Sequence, residues 1–331
     1  MNTAKNKFSP MKLKAPVKDY IWGGTKLRDE FGKASGNEDI SRFAESWELS
    51  SHPDGESIID GGEYDGRSLS EFLTENPAAL KVGNTVFSEF PVLIKLIDAK
   101  DDLSVQVHPD NDYARKYEGD NGKTEMWYII DCDEGAELIY GFKNKITKEE
   151  FQRALEENTI LEMVNRVKVH KGDVFFIKPG TLHAIGGGIL IAEIQQSSNV
   201  TYRVYDYGRV GDDGKPRELH IQKALDVTGT EPAEGAFGKP EKLILSDKCR
   251  TEYYQLCSCE YFTAFRYDVD GSFKAESSDE AYHILVIDGE AEISGIPAEK
   301  GSSIFVPAGS DMIDIKGRCS IILTRININN N

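Results

Sequence analysis

GDVFFIKPGTLH, residues 172–183, is echoed later in the chain by GSSIFVPAGSDM, residues 301–312. Each copy opens on a glycine turn, runs through apolar residues, and breaks at a Pro/Gly turn. Each closes three residues after its second glycine, on His183 in one copy and Met312 in the other. Around the first copy, segments 89–99, 126–130, 137–141 and 189–195 are short, β-branched or aromatic, and punctuated by Gly, Pro and Asp. Such spacing predicts an all-β sandwich or barrel. Beyond the second copy's approach, 261–269, 282–287, 291–293, 303–307 and 320–325 read as further strands. Between the two sets lies GTEPAEGAFGKPEK, residues 229–242, crowded with Gly, Pro and Glu and without apolar period. It reads as a linker or long loop. The chain is therefore expected to be mainly β, with two jelly-roll barrels and a few short helices, divided into residues 1–230 and 240–331.

Helical patterns are few. Ser68 ahead of Glu71 caps a segment reaching Leu80, and Thr147 with Glu150 opens an apparent helix over 147–164. Residues 223–227 add one more turn.

The chemistry-bearing residues gather in the first half. Gln106 and His108 sit two apart at the end of an apolar run, 91–107, that reads as strand, so both side chains aim at one face. Glu125 opens another strand-like segment, and His183 follows the turn at Pro179 and Gly180. Two imidazoles, a carboxylate and an amide oxygen suit a divalent metal with room for substrate. Taken singly, each of these is more often an ordinary polar residue.

Composition narrows the partners. The 331 residues carry a formal charge of −17, which argues against nucleic acid and against an anionic membrane surface. A phosphate site in so acidic a chain must concentrate its few cations locally. The first 20 residues are polar and Lys-rich, unlike a signal peptide, and no apolar run approaches a membrane span. Five cysteines, Cys132, Cys249, Cys257, Cys259 and Cys319, are odd in number and scattered, as reduced thiols of a cytoplasmic protein are.

The spacing of 172–183 and 301–312 resembles the second motif of the cupin superfamily, and His108 to Glu125 resembles the first. The second copy has His283 without companion ligands, so that barrel reads as structural. The chain as a whole resembles a type I mannose-6-phosphate isomerase of the short bacterial kind. YIWGG (20–24), ESWELS (45–50), LIKLIDA (93–99), LSVQVHPDN (103–111), GKTEMWY (122–128), PGTLHAIGGGILIAEIQQSSNVTYRVYDYGR (179–209) and ELHIQKAL (218–225) carry the likeness.

That resemblance implies one zinc ion per chain and interconversion of mannose 6-phosphate and fructose 6-phosphate through an enediol. It places the metal on Gln106, His108, Glu125 and His183, and a catalytic arginine on Arg203. Lys123 shares a strand face with Glu125 and supplies a second cation. Glu193, sharing a face with Ile191 and Gln195, is the candidate base; His170 and His220 are alternatives. Asn199 departs from the family, whose members often have Asp there, and an amide cannot accept the proton. Trp22 could stack on a sugar or simply be buried at the barrel mouth, and the glycines 186–188 read as a hairpin turn rather than a phosphate loop. Two rival readings stand beside the isomerase: a non-haem iron oxygenase built on the same two histidines and carboxylate, and a non-catalytic sugar-binding or regulatory cupin.

Overall fold

The computed structural model describes residues 8–37, 39–81, 90–233, 237–243, 251–275 and 277–327. Among them the chain is mainly β, with three antiparallel sheets and a few short helices. A seven-stranded sheet runs in the spatial order Phe237–Gly238, Val174–Ile177, Glu125–Cys132, Ile189–Gln196, Val92–Ala99, Glu45–Leu49, Val17–Lys18. A five-stranded sheet runs Tyr202–Tyr205, Val105–Val107, His183–Ala184, Glu137–Phe142, Val164–Lys168. Their inner faces share a core in which Trp127, Ile129, Ile189 and Ile191 of the first sheet pack with Leu138 and Tyr140 of the second. Two facing antiparallel sheets closed over one core make the first jelly roll.

The second barrel is a nine-stranded sheet wrapped around its own core, with Ile284, Val286, Ile304, Ile315 and Ile321 inside. The early strand Met11–Lys14 pairs with Ser303–Val306, and Ile58–Ile59 pairs with Met11–Lys14. The start of the chain is thus hydrogen-bonded into the sheet built by its end. A large shared cluster, with Phe72, Ile94, Met126, Leu285 and Phe305 buried, joins the halves.

Several expected elements have different bounds. The run 91–107 is two strands, Val92–Ala99 and Val105–Val107, and they belong to different sheets. Asp101 and Asp102 in the turn between them are polar and take the chain from one sheet to the other. The helix expected over 147–164 has its capping box at Thr147 and Glu150 but ends at Glu156. Asn158 then takes φ +59°, a left-handed conformation that a helix cannot contain. A single turn, Ile160–Met163, follows, and Val164–Lys168 is a strand. In the second barrel the separate expected segments merge into long bent strands, Phe262–Ala275, Tyr282–Ile293 and Ile313–Ile326. A register shift between Val286 and Asp288, next to Gly289 at φ +75°, lets Tyr282–Ile293 stay continuous. The capped helix at Ser68 is present as Leu69–Glu75, and Ile221–Val227 supplies the last turn. Within the expected linker, Phe237–Gly238 adds a short strand to the seven-stranded sheet. No helix among the described residues is long and apolar enough to cross a membrane.

Candidate metal centre and active site

Three strands deliver the metal candidates. Val105–Val107 and His183–Ala184 are neighbours, with Gln106 directly opposite His183. Glu125 starts its own strand, in the facing sheet, opposite Ile177 and Gln195. The turn before His183 depends on Gly180, whose φ of +82° favours glycine; its N–H donates to the carbonyl of His108, tying the two histidine segments together.

His108, Glu125 and His183 are almost wholly buried, and their ligand atoms all lie within 4.8 Å of one another. His183 Nε2 stands 3.2 Å from His108 Nε2 and 3.2 Å from Glu125 Oε1, while Glu125 Oε2 lies 3.6 Å from His108 Nε2. The Nδ1 atoms are each 2.8 Å from a backbone carbonyl, Val200 O for His108 and Thr181 O for His183. A carbonyl only accepts, so each Nδ1 carries the proton and each Nε2 presents a lone pair. Two lone pairs therefore face each other beside a carboxylate whose oxygens are both buried without a hydrogen bond.

Charge states agree with this geometry. Burial, with Lys123 and the partner imidazole adding to it, holds His108 well below the usual histidine range. Burial likewise brings His183 down to about 4, against the pull of the Thr181 carbonyl. Burial raises Glu125 to about 7 although Lys123 opposes it. Two converging imidazole lone pairs beside a buried carboxylate are a poor arrangement for the protein alone and a good one for a divalent cation. The residues fit a metal ion.

Gln106 is part of a different chain of contacts. Arg203 Nε donates to Ser104 Oγ at 3.2 Å, and Ser104 Oγ donates to Gln106 Oε1 at 3.4 Å. Arg203 is directly opposite Gln106 on the next strand, so Arg203, Gln106 and His183 form one row across the sheet.

Beside the triad a cavity of about 270 Å³ is lined by Gln106, Lys123, Glu193 and Arg203 together with Tyr20, Trp22 and Asn199. Lys123 Nζ is 3.2 Å from Glu125 Oε2 and 3.9 Å from Glu193 Oε1. Glu193 Oε2 accepts from Trp127 Nε1 at 2.9 Å, and its Oε1 makes no hydrogen bond. Burial raises Glu193, but Lys123 and Lys95 outweigh it and hold the carboxyl below its ordinary range. It is thus a buried carboxylate, ionised at neutral pH, with one oxygen anchored and one open.

Other candidates fall elsewhere. His170 is exposed, 3.5 Å from Asp173. His220 lies behind Arg203, its Nδ1 accepting from the Arg203 N–H at 3.3 Å. Asn199 lines the cavity, but its Nδ2 donates to Asp54 at 2.7 Å. Glu48, in the ESWELS block, is buried away from the cavity, accepting from Lys33 and Ser46. Gly187 N–H is taken by Asp102 at 2.7 Å, which leaves the glycine turn a hairpin. Cys132, Cys257, Cys259 and Cys319 are free, and Cys249 lies outside the described residues.

The sequence reading missed Lys95, Glu45 and Arg217. Lys95 is buried between Glu45 and Glu193, 3.4 Å from each. A signal for it existed: a single lysine inside LIKLIDA, a strand apolar on both faces, needs buried counter-charges. Nothing local marked Arg217.

Residues 11–142 match the family described as phosphomannose isomerase type I, catalytic domain, and residues 252–326 match the mannose-6-phosphate isomerase cupin domain. The mannose-6-phosphate isomerase of Streptococcus mutans is 38% identical over 96% of this chain and 98% of its own. Mannose-6-phosphate isomerase ManA of Bacillus subtilis is 39% identical over 96% of this chain and 99% of its own. The crystal structure of a Bacillus subtilis mannose 6-phosphate isomerase superposes with a TM-score of 0.87 at 36% identity, covering 96% of this chain and all of that one. A structure described as a putative mannosephosphate isomerase from Archaeoglobus fulgidus, 22% identical over 98% of this chain and all of its own, shares the fold with a TM-score of 0.77.

Proposed function

The chain belongs to the type I phosphomannose isomerase family and is an aldose–ketose isomerase; on that premise we propose that it interconverts mannose 6-phosphate and fructose 6-phosphate as a zinc enzyme. His108, Glu125 and His183 would hold one zinc ion per chain, with Gln106 as a further oxygen donor. When bound, zinc would supply a Lewis acid for the sugar's hydroxyl and carbonyl oxygens.

The protein groups divide the remaining work. Glu193 Oε1, flanked by Lys95 and Lys123, takes the proton from C2 and returns it to C1 while the O2 hydroxyl proton passes to O1, so the aldose becomes the ketose through an enediol. Trp127 holds the other oxygen and fixes the direction of that carboxylate. Lys123 and Arg203 offset the negative charge that develops on the sugar oxygens. Asn199, occupied with Asp54, takes no part in proton transfer. Burial of the triad and of Lys95 and Glu193 keeps water away from the enediol.

The observation that carries this reading is the pair of unprotonated Nε2 atoms facing the buried Glu125 carboxylate beside a cavity lined with cations. Those cations, in a chain of −17, favour a phosphorylated substrate over the apolar substrates of an iron oxygenase. We take residues 1–230 as the catalytic unit and 240–331 as its structural companion, since every candidate residue precedes the linker. Four free thiols among the described residues support a cytoplasmic location. The test is a coupled assay with mannose 6-phosphate on protein stripped by chelator and reloaded. Activity lost on stripping and restored by zinc is expected; activity indifferent to stripping would remove the metal from the scheme.

A further inference from the structure

Two thiols for which isomerisation has no use meet at the join of the two barrels. The strand Glu252–Ser258 ends on Cys257 and Ser258, and Cys259 begins the turn into the strand Phe262–Ala275. Both cysteines are half-buried and pack on the cluster that the barrels share, while Ser258 and Glu260 beside them are exposed. Two residues apart at a strand end, with side chains on one face, they have Cα atoms about 6.6 Å apart. That lies near the upper limit of about 6.8 Å that a disulfide spans.

The turn is built to hold a thiolate. The Cys259 N–H donates to the Phe262 carbonyl at 2.9 Å and closes it. Asn327 braces it from the last strand, donating through Nδ2 to the Cys259 carbonyl at 2.7 Å and through its N–H to the Tyr261 carbonyl at 3.0 Å. The Cys257 thiol and the N–H groups of Tyr261 and Phe262 all donate to Cys259 Sγ. Led by the Cys257 hydrogen bond, and against burial and the charge of Glu260, these donors bring Cys259 down to about 7. The same contact holds Cys257 far above the usual thiol range, as the protonated partner. The other described thiols go the opposite way to Cys259: burial raises Cys132 and takes Cys319 to about 11.

We propose that Cys257 and Cys259 form a peroxide-sensitive dithiol, oxidised reversibly to a disulfide that loosens the tie between this turn and the catalytic barrel and so slows the enzyme. The Cys259 thiolate attacks one peroxide oxygen, the O–O bond breaks, and hydroxide leaves and takes up a proton as water; Cys259 becomes a sulfenic acid. Cys257, no longer held by a neighbouring thiolate, then gives up its proton and attacks the sulfenic sulfur. The S–O bond breaks and a second water leaves. Two thiols and one peroxide thus give one disulfide and two waters, the sulfurs losing the two electrons that the peroxide gains. A bridge near the limit of reach is strained and easily reduced, as regulatory disulfides are. Bridging also draws Cys259 Sγ away from the N–H groups of Tyr261 and Phe262. The change reaches the site through the Tyr261 hydroxyl, which accepts from Asn111 Nδ2 at 2.9 Å. Asn111 Oδ1 in turn accepts from the Gly122 N–H at 2.9 Å and from Gln196 Nε2 at 3.0 Å. Asn111 stands three residues after His108, and Gly122 immediately precedes Lys123. The slowing rests on the isomerase reading; the bridge does not.

The experiment treats zinc-loaded wild type, Cys257→Ser, Cys259→Ser and Tyr261→Phe with hydrogen peroxide and then with dithiothreitol. Peptide mass mapping should place a bridge between Cys257 and Cys259 in wild type and in Tyr261→Phe, removed by dithiothreitol. Cys257→Ser should stop at a sulfenic acid on Cys259 that dimedone labels, and Cys259→Ser should keep its Cys257 thiol. In oxidised wild type, deuterium exchange should quicken across residues 111–122. Its kcat on mannose 6-phosphate should fall about threefold to tenfold, the usual weight of one neutral hydrogen bond. Tyr261→Phe already lacks that bond, so oxidation should leave its kcat where it was. No bridge, a bridge to Cys249, first labelling on Cys257, or unchanged exchange or kcat in bridged wild type would overturn the proposal. A wild type inactive before oxidation would sink the isomerase reading instead, and mapping and exchange would still decide what the thiols do.

Discussion

Trp127→Phe tests how much of the catalytic carboxylate's behaviour depends on one hydrogen bond. Trp127 is fully buried, directly opposite Glu193 across two strands, and its Nε1–H reaches Glu193 Oε2 at 2.9 Å. Phenylalanine keeps an aromatic ring beside His183, which the indole meets edge-on at 5.3 Å, and removes the donor. A hydrogen bond to a charged acceptor is worth about 1.5–3 kcal/mol, and the loss is fully felt because the oxygen stays buried. The missing ring atoms add roughly 2 kcal/mol of lost burial, at about 0.8 kcal/mol per methylene equivalent. Together these lower stability by about 4 kcal/mol. With an unfolding entropy of about 2.1 cal/mol/K per residue, a chain of 331 residues loses roughly 6 °C in Tm. The thermal shift alone would follow from any core mutation, so the assay that matters is kinetic. With Glu193 free to turn toward Lys95, kcat should fall about tenfold or more while KM for mannose 6-phosphate stays near wild type, since lost orientation acts on the chemical step. The decisive measurement is a double-mutant cycle with Glu193→Gln: if Trp127 acts through Glu193, Trp127→Phe costs no further kcat in that background. An equal loss of kcat in both backgrounds, or unchanged kcat in the folded single variant, would refute the positioning argument.

Chelation should lower thermal stability as well as activity. Metal at a thousandfold excess over Kd stabilises the folded state by about 4 kcal/mol, or roughly 6 °C here, and scanning calorimetry with and without chelator reads it. His283 in the second barrel offers a separate pH test. Its Nε2–H donates to Ser303 Oγ at 2.8 Å, its Nδ1 is buried without a partner, and burial, with Lys33 adding to it, brings its pKa down to about 3. The folded pKa lies below the unfolded one, so the unfolded chain binds the extra proton, and stability is full above about pH 6.5 and falls as pH drops below it. From about pH 6.5 down to 5, urea unfolding of His283→Gln should fall less steeply than wild type, the difference in slope growing toward about 1.4 kcal/mol per pH unit; parallel curves would contradict it. At Asn158, φ +59°, valine should cost about 1–2 kcal/mol and glycine almost nothing, again by urea unfolding; a well-tolerated valine would mean the helix end is not held in that conformation.

What the sequence alone determined is what depends on local spacing. Two strands with a glycine turn before and a Pro/Gly turn after announced two barrels, because period-two side-chain alternation and turn chemistry are local properties. The helix starts at Ser68 and Thr147 were legible because a capping box is a four-residue signal. His108, Glu125 and His183 could be named as candidates from residue type and turn position. Their convergence could not, since it depends on strands from two sheets facing across a common core. The split of 91–107 between sheets was hidden because an apolar run looks the same whichever sheet its parts join. The left-handed Asn158 was hidden too, because the apolar period of 147–164 continues through it. Lys95, buried between Glu45 and Glu193, acquires its meaning from partners about fifty and a hundred residues away. Arg217 looked like any surface arginine until the fold brought Asp206 and Arg203 beside it. Pairing register and charge compensation are long-range properties: burying an ion is costly until a specific partner arrives, and only the folded chain decides which partner that is.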